Sequence, residues 1–171
     1  MRQVSLIVCF FLLVGFTSLQ AQYSKVAYVD MEKVMDSVEE YKTAQKQLEQ
    51  QAERWRQEIA KEYEQIEAMY REYQTREPLL SDEMRKAKQD EIVAKEKAVR
   101  SLQNTRFGPE GELFKKRQSL VKPIQEKVYG VVQKLAKDRG FDFIFTAPDG
   151  STLLYAADDK DLTQEVIKRL N

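Results

Sequence analysis

Histidine is absent from the 171 residues, and cysteine occurs once, at Cys9. The first absence removes the side chain that most often moves protons near neutral pH, and with it the Ser-His-Asp and Cys-His arrangements. It also removes the histidine-bearing zinc sites, and a single cysteine makes neither a metal cluster nor an internal disulfide. Net charge is missing too: 28 Lys plus Arg face 28 Asp plus Glu, which gives no electrostatic reason to expect nucleic acid as a partner. Glycine and proline are scarce, at 6 and 4 residues. With 33% charged residues, that scarcity points to long helices rather than to disordered or collagen-like chain.

A membrane-spanning run is lacking as well. The apolar stretch 4–16, preceded by Arg2, falls short of the roughly 20 residues that a spanning helix needs. Followed by small and polar residues up to Ala21, it reads as a secretory signal peptide over 1–21, cleaved there or within a residue or two because Leu19 is bulky. Cys9 would leave with it. The remaining 150 residues would carry 27 bases and 28 acids, no cysteine, and an extracytoplasmic address. In a bacterial periplasm, which has no ATP, such a protein works on binding energy alone.

Residues 24–29 are β-prone and predict one strand, with Val26 and Tyr28 on one face. Asp30 then suits the N-cap of a short helix carrying Met31, Val34, Met35 and Val38 at helical spacing. From 41 to 76 there is neither Gly nor Pro, and apolar residues recur at 41, 44, 48, 52, 55, 59, 63, 66, 70 and 73. That spacing falls between the 3.5 of a coiled coil and the 3.6 of a straight helix. A helix of this length outreaches any globule the chain can build, so it projects. Around Pro78 the pattern breaks, and Ser81 followed by Asp82 and Glu83 starts a returning helix over 81–107 with few apolar residues. Gly108, Pro109 and Gly111 interrupt it. The interruption is either an ordinary boundary, with Gly108 as cap and Pro109 as first helical residue, or a hinge. Helix resumes with a denser apolar stripe and local bends at Pro123 and Gly130, and ends at Gly140. Phe141, Phe143 and Phe145 predict a strand with one aromatic face, and a turn at 148–150 would return the chain through 152–156, including Leu153 and Tyr155, as a hairpin. A last helix would start at Asp161, with Gln164 as capping-box partner.

The fold class is therefore α+β. Residues 22–40 and 111–171 form a small β-containing body from both chain ends, and 41–110 form an antiparallel helical hairpin arm with its tip near 77–81 and a possible hinge at 108–111. A body whose ends sum to so few residues, with open sheet edges, has a marginal core that oligomerisation would complete. The charge is unevenly spread: 22–40 and 140–171 sum to minus six, while 41–139 carry plus five, so the arms read as the basic part.

The stretches SKVAYVDMEKVMDSVEEYKTAQKQLE, LVKPIQEKVYGVVQKLAKDRGFDFIF and LLYAADDKDLTQEVIKRLN resemble the Skp (OmpH-like) periplasmic chaperones of Gram-negative bacteria, most specifically at the two chain ends. The resemblance implies a homotrimer without cofactors: an ATP-independent holdase whose three arms enclose a cavity for unfolded outer-membrane proteins. Val26, Tyr28, Phe141, Phe143, Phe145, Leu153 and Tyr155 would belong to the shared body. Family members are often strongly basic. This chain is balanced, which speaks against lipopolysaccharide binding and leaves at most weak contact with a membrane surface.

Trp55, Tyr63, Tyr70 and Tyr73 lie on the apolar stripe, where seam packing is the ordinary role. Client contact is expected from Met69, Tyr70, Tyr73, Leu79 and Leu80 near the tip, because aromatics and methionine accommodate many shapes. Met69, Leu79 and Leu80 have no evident seam partner. Asp158, Asp159 and Asp161 lack the glycine and distal Glu of a calcium loop and read as a solvated loop ending in a cap. No enzyme activity is expected. The competing reading is a non-catalytic coiled-coil spacer or adaptor of the cell envelope.

Overall fold

The computed structural model describes residues 23–147 and 155–170. The expected signal peptide, the turn at 148–150 and Leu153 lie outside the described residues. Strand β1 (Val26–Val29) leads into helix α1 (Met31–Ser37), and then α2 runs from Glu39 to Arg76. A 3-10 turn at Glu77–Leu79 reverses the chain into α3 (Asp82–Phe107), which is followed by α4 (Glu112–Arg139), β2 (Phe143–Thr146), a 3-10 turn at Asp158–Lys160 and α5 (Thr163–Leu170).

β1 and β2 pair in parallel, Val26 opposite Phe143 and Val29 opposite Thr146. Parallel strands need a crossover connection, and here the whole helical excursion supplies it. The other edge of β1 is also covered, since Leu162 N–H donates to Tyr28 O at 3.0 Å and Tyr28 bridges to Asp161. β1 is thus the central strand. The expected strand at 152–156 is not seen in its described part: Tyr155 and Ala156 carry no regular structure. Phe141 precedes β2 and packs against the core, with the Lys25 ammonium 4.5 Å from its ring centroid. Its place beside Phe143 and Phe145 on one aromatic face is corrected accordingly, because pleated alternation begins only where the ladder to β1 does.

The inner sheet face and the helices share one core, built from Ala27, Val29, Val34, Met35, Val38, Leu48, Val121, Val128, Leu135, Leu162 and Val166. Pro123 sits inside α4 without ending it, and Gly140 closes that helix in the left-handed region at φ 65°, where a side chain would be strained. α5 begins at Thr163 rather than Asp161. The Asp161 carboxylate instead accepts from Thr163 N–H at 2.8 Å, and the first helical bond runs from Val166 N–H to Leu162 O.

Asp30 joins the chain ends. It and Thr163 are the buried polar residues among those described, at 4% and 2% exposure. The Asp30 carboxylate caps α1 by accepting from Lys33 N–H at 3.0 Å and pairs with the Lys33 ammonium at 2.7 Å. Its own N–H donates to Thr163 Oγ1 at 2.9 Å. Burial pushes the Asp30 carboxyl up, but its hydrogen bonds and charge pairing with Lys33 together outweigh that and leave it below its ordinary value. The native state therefore binds this proton less readily than the unfolded chain does. The stabilisation is present above the unfolded carboxylate value of about 3.9 and is lost as pH falls through the folded one. Asp30→Ala is expected to lose about 1–2 kcal/mol in urea unfolding at neutral pH, and less near pH 3; an equal loss at both would contradict this role for the carboxylate.

Candidate functional site: the helical arm

At about 1.5 Å per residue, the 38 residues of α2 extend roughly 57 Å. Its inner part packs on α4 and its outer part on α3. The residues turned inward are Ala44, Leu48, Ala52, Trp55, Ile59 and Ile66, continued by half-buried Met69 and Tyr73. From Ala52 outward, with half-buried Glu62 included, the steps alternate three and four, the heptad rhythm of a coiled coil. The expected stripe drifts off this seam at two places. Tyr63 and Tyr70 flank it, each 40% exposed, while Glu62 and Met69 occupy the seam positions. Met69, expected to lack a seam partner, packs against the buried cluster of Ile59, Ile66, Ile92 and Val99.

Glu62 is tolerated because Lys95 of α3 meets it, the two side chains 29% and 31% exposed. Tyrosine hydroxyls reinforce the pairing from the flanks: Tyr70 donates to Glu96 at 2.9 Å and Tyr63 to Gln103 at 3.4 Å. The hydrogen bond to the Glu96 carboxylate, which favours the protonated phenol, raises the Tyr70 pKa above its ordinary value. The outer seam thus has a four-residue buried cluster, Ile59, Ile66, Ile92 and Val99, stitched by polar contacts.

Near the tip the seam opens into a groove of about 360 Å³. Met69 and Tyr73 of α2, Leu80 of the turn, and Met84, Ala87 and Ile92 of α3 form its apolar walls. The rim charges are paired among themselves, Arg76 with Glu72 at 3.1 Å and Lys88 with Glu91 at 2.8 Å, so the groove is apolar and close to neutral. Tyr73 Oη is engaged as well, donating to Glu77 at 3.1 Å and accepting from Gln89 at 2.7 Å. Of the residues expected to meet a client, Met69, Tyr73 and Leu80 come together here. Tyr70 lies outside the groove lining, and Leu79 stands 85% exposed, also outside it. The α3 wall was missed, although Met84 and Ala87 are among the few apolar residues of that helix and must face α2 once the hairpin closes.

At the base of the outer arm, α3 ends with Gly108 as C-cap and α4 starts at Glu112 with Gly111 as N-cap. Pro109 lies in the turn between them, not at the first helical position. Both glycines have negative φ, so left-handed freedom is not their use. They are there for closeness: a Cβ on Gly108 would lie 2.4 Å from Asn104 O, and one on Gly111 2.9 Å from Thr105 O.

On the body, Val26, Phe143 and Phe145 are 40%, 55% and 58% exposed. The two phenyl rings stack at 6.2 Å on the sheet face that points away from the core. Tyr28 shares that face, half-buried; burial and the neighbouring Asp161 carboxylate raise its pKa. Tyr155 is 84% exposed. The positive charge is not on the arm: residues 39–107 carry 14 bases and 15 acids, whereas α4 carries 8 and 3. Asp159 is engaged by Lys160 at 2.6 Å and Asp161 by the start of α5. Among the described residues no acidic group is arranged to hold a metal, and no helix is long and apolar enough to cross a membrane.

Since methyl groups at the break would meet backbone oxygen, Gly111→Ala is expected to destabilise by about 1–3 kcal/mol, the usual scale of overpacking. Chemical denaturation monitored by circular dichroism measures this; unchanged or increased stability would show that the close approach is unimportant.

The profile of the family described as "Outer membrane protein (OmpH-like)" matches residues 25–170. No curated protein sequence matches the chain. A crystal structure from Caulobacter crescentus CB15, of an OmpH-like protein whose name proposes it as an outer membrane chaperone, superposes with a TM-score of 0.68 over 86% of this chain and 84% of that one, at 12% identity. At that identity the likeness concerns the fold. The profile match spans nearly all of the described residues, and the chain belongs to the OmpH-like family.

Proposed function

We propose that the protein is an ATP-independent holdase of the periplasm, reached by cleavage of a signal peptide over 1–21. It binds unfolded outer-membrane proteins between helical arms and keeps them from aggregating on the way to the outer membrane. The observation that carries this reading is the arm itself: a projecting hairpin with a thin seam and an apolar, charge-neutral groove at its tip. Such a surface takes up apolar side chains of many shapes without selecting a sequence. Each contact is weak, and avidity over several arms supplies the holding strength.

The working form is a homotrimer. A reason for self-association is the outward sheet face, where Val26, Phe143 and Phe145 leave apolar surface in water that a monomer has no use for. Tyr28 extends that face, exposed Tyr155 adds a further aromatic side chain to the assembly, and the break at 108–111 lets the arms adjust to clients of different size. The surplus of bases on α4 is the part of the chain suited to weak contact with an anionic membrane surface.

The test is dilution of a denatured outer-membrane β-barrel protein into buffer with and without this protein, followed by light scattering, on material whose subunit number has been read by multi-angle scattering. A trimer that suppresses aggregation is expected, with suppression weakened several-fold by Met84→Glu, which charges the groove. Full aggregation at excess trimer would favour the spacer reading, and a folded monomer would remove the cage.

A further inference from the structure

At the joint between the outer arm and the base, one side chain reaches every helix that meets there. Arg106 lies in the last turn of α3. Its guanidinium sits 4.9 Å from the Trp55 ring of α2, pairs with Glu112, the first residue of α4, and lies 3.6 Å from Glu58 of α2. The next residue, Phe107, sets its ring edge-on to Trp55 at 6.2 Å. One cation thus touches all three helices that meet at the break, and the chain between α3 and α4 is otherwise a four-residue turn closed by the bond from Gly111 N–H to Gly108 O, 2.9 Å.

A pair of packed rods bends only if one slides along the other. α2 is continuous across the joint and has no glycine or proline, so it can only curve gently. Its partner is in two pieces, α3 and α4, and the gap between them is where sliding is taken up. The Trp55 layer also separates the two hydrophobic clusters: Leu48 and Val121 belong to the inner one, Ile59 and Val99 to the outer. An apolar layer alone would allow slip at this level. A guanidinium with fixed fork geometry, paired to carboxylates on both sides, does not.

We propose that Arg106 is a releasable latch: paired with Glu112 and Glu58 and stacked on Trp55, it fixes α3 in register on α2 and keeps the arm straight, and its release lets α3 slide and the arm bend. The latch is built to open. The Arg106 side chain keeps 23% exposure, so screening reaches the pair. Its Nε is buried without a hydrogen-bond partner, so part of its desolvation is uncompensated in the closed state. This proposal concerns the arm's mechanics and holds whatever the arm binds.

The test is a distance measurement across the break by pulsed electron paramagnetic resonance. Spin labels are placed at the exposed positions Lys97 and Gln118 of the full chain carrying Cys9→Ser, and labelled chains are diluted with unlabelled ones. Wild type is expected to give one narrow distance distribution at low salt. Arg106→Gln and Glu112→Gln should broaden it at least two-fold with helix content unchanged, and so should about 1 M salt on the wild type, where the screening length is about 3 Å. Because Trp55 is the sole tryptophan, acrylamide quenching of its fluorescence should rise in the same samples. Distributions of both variants that superimpose on wild type overturn the latch. So does broadening accompanied by lost helix content in both, since that marks Arg106 and Glu112 as ordinary structural contacts. If Arg106→Gln alone fails to fold, Glu112→Gln, which leaves the stacking on Trp55 and the Glu58 contact in place, decides the matter by the same two outcomes.

Discussion

A single helix of 38 residues has one apolar stripe and must find cover for its whole length. That requirement organises the molecule. No other described helix is long enough, so α2 is covered in two stages, α4 on its inner part and α3 on its outer part, with the join at the level of Trp55. The stages differ in quality. The inner one shares the body's core, in which Val128 and Leu135 are fully buried. The outer one relies on a small apolar cluster, an ion pair at Glu62 and Lys95, and tyrosine hydroxyls. Firm at the base and loosely held outward is what a thin seam produces.

The body meets a different constraint. Its two described strands lie more than a hundred residues apart, so their pairing closes a very long loop, which the helical arm fills in the folded chain. Closure is then secured by β1, flanked on both edges, and by Asp30 and Thr163, which lock the start of α1 to the start of α5. A core of this size hides only one sheet face. The other keeps two stacked phenylalanines in water, and that unburied surface is the physical ground for reading the body as an assembly surface.

The hairpin, its tip, the break at 108–111 and the course of the late helix were legible in the sequence because glycine, proline and capping residues act locally. The Ser81 cap and the Gly140 C-cap behave as their types dictate. What was illegible depended on partners. Tyr63 and Tyr70 look more apolar than Glu62, yet the 3.5 rhythm set by α3 puts Glu62 on the seam, and only Lys95 makes that acceptable. Phe141 shares the odd-numbered pattern of Phe143 and Phe145 but precedes the ladder, so its environment followed the core. Of the tip groove, only the α2 wall and Leu80 were anticipated. The glycines at the break looked like freedom and proved to be closeness, which no single-sequence pattern distinguishes. Charge misled in the same way, since an average over 41–139 hid that the surplus sits on α4.

The proposed holdase role calls for a base that keeps its shape and arms that yield, and the two-stage covering of α2 supplies that contrast within one helix. Amide hydrogen exchange along α2, read residue by residue in the full chain without client, tests this most directly. The account predicts strong protection over 44–52, a step down beyond Trp55, and the weakest protection from Ile66 to the tip. Uniform protection along the whole helix, or an outer part better protected than the inner, would contradict it.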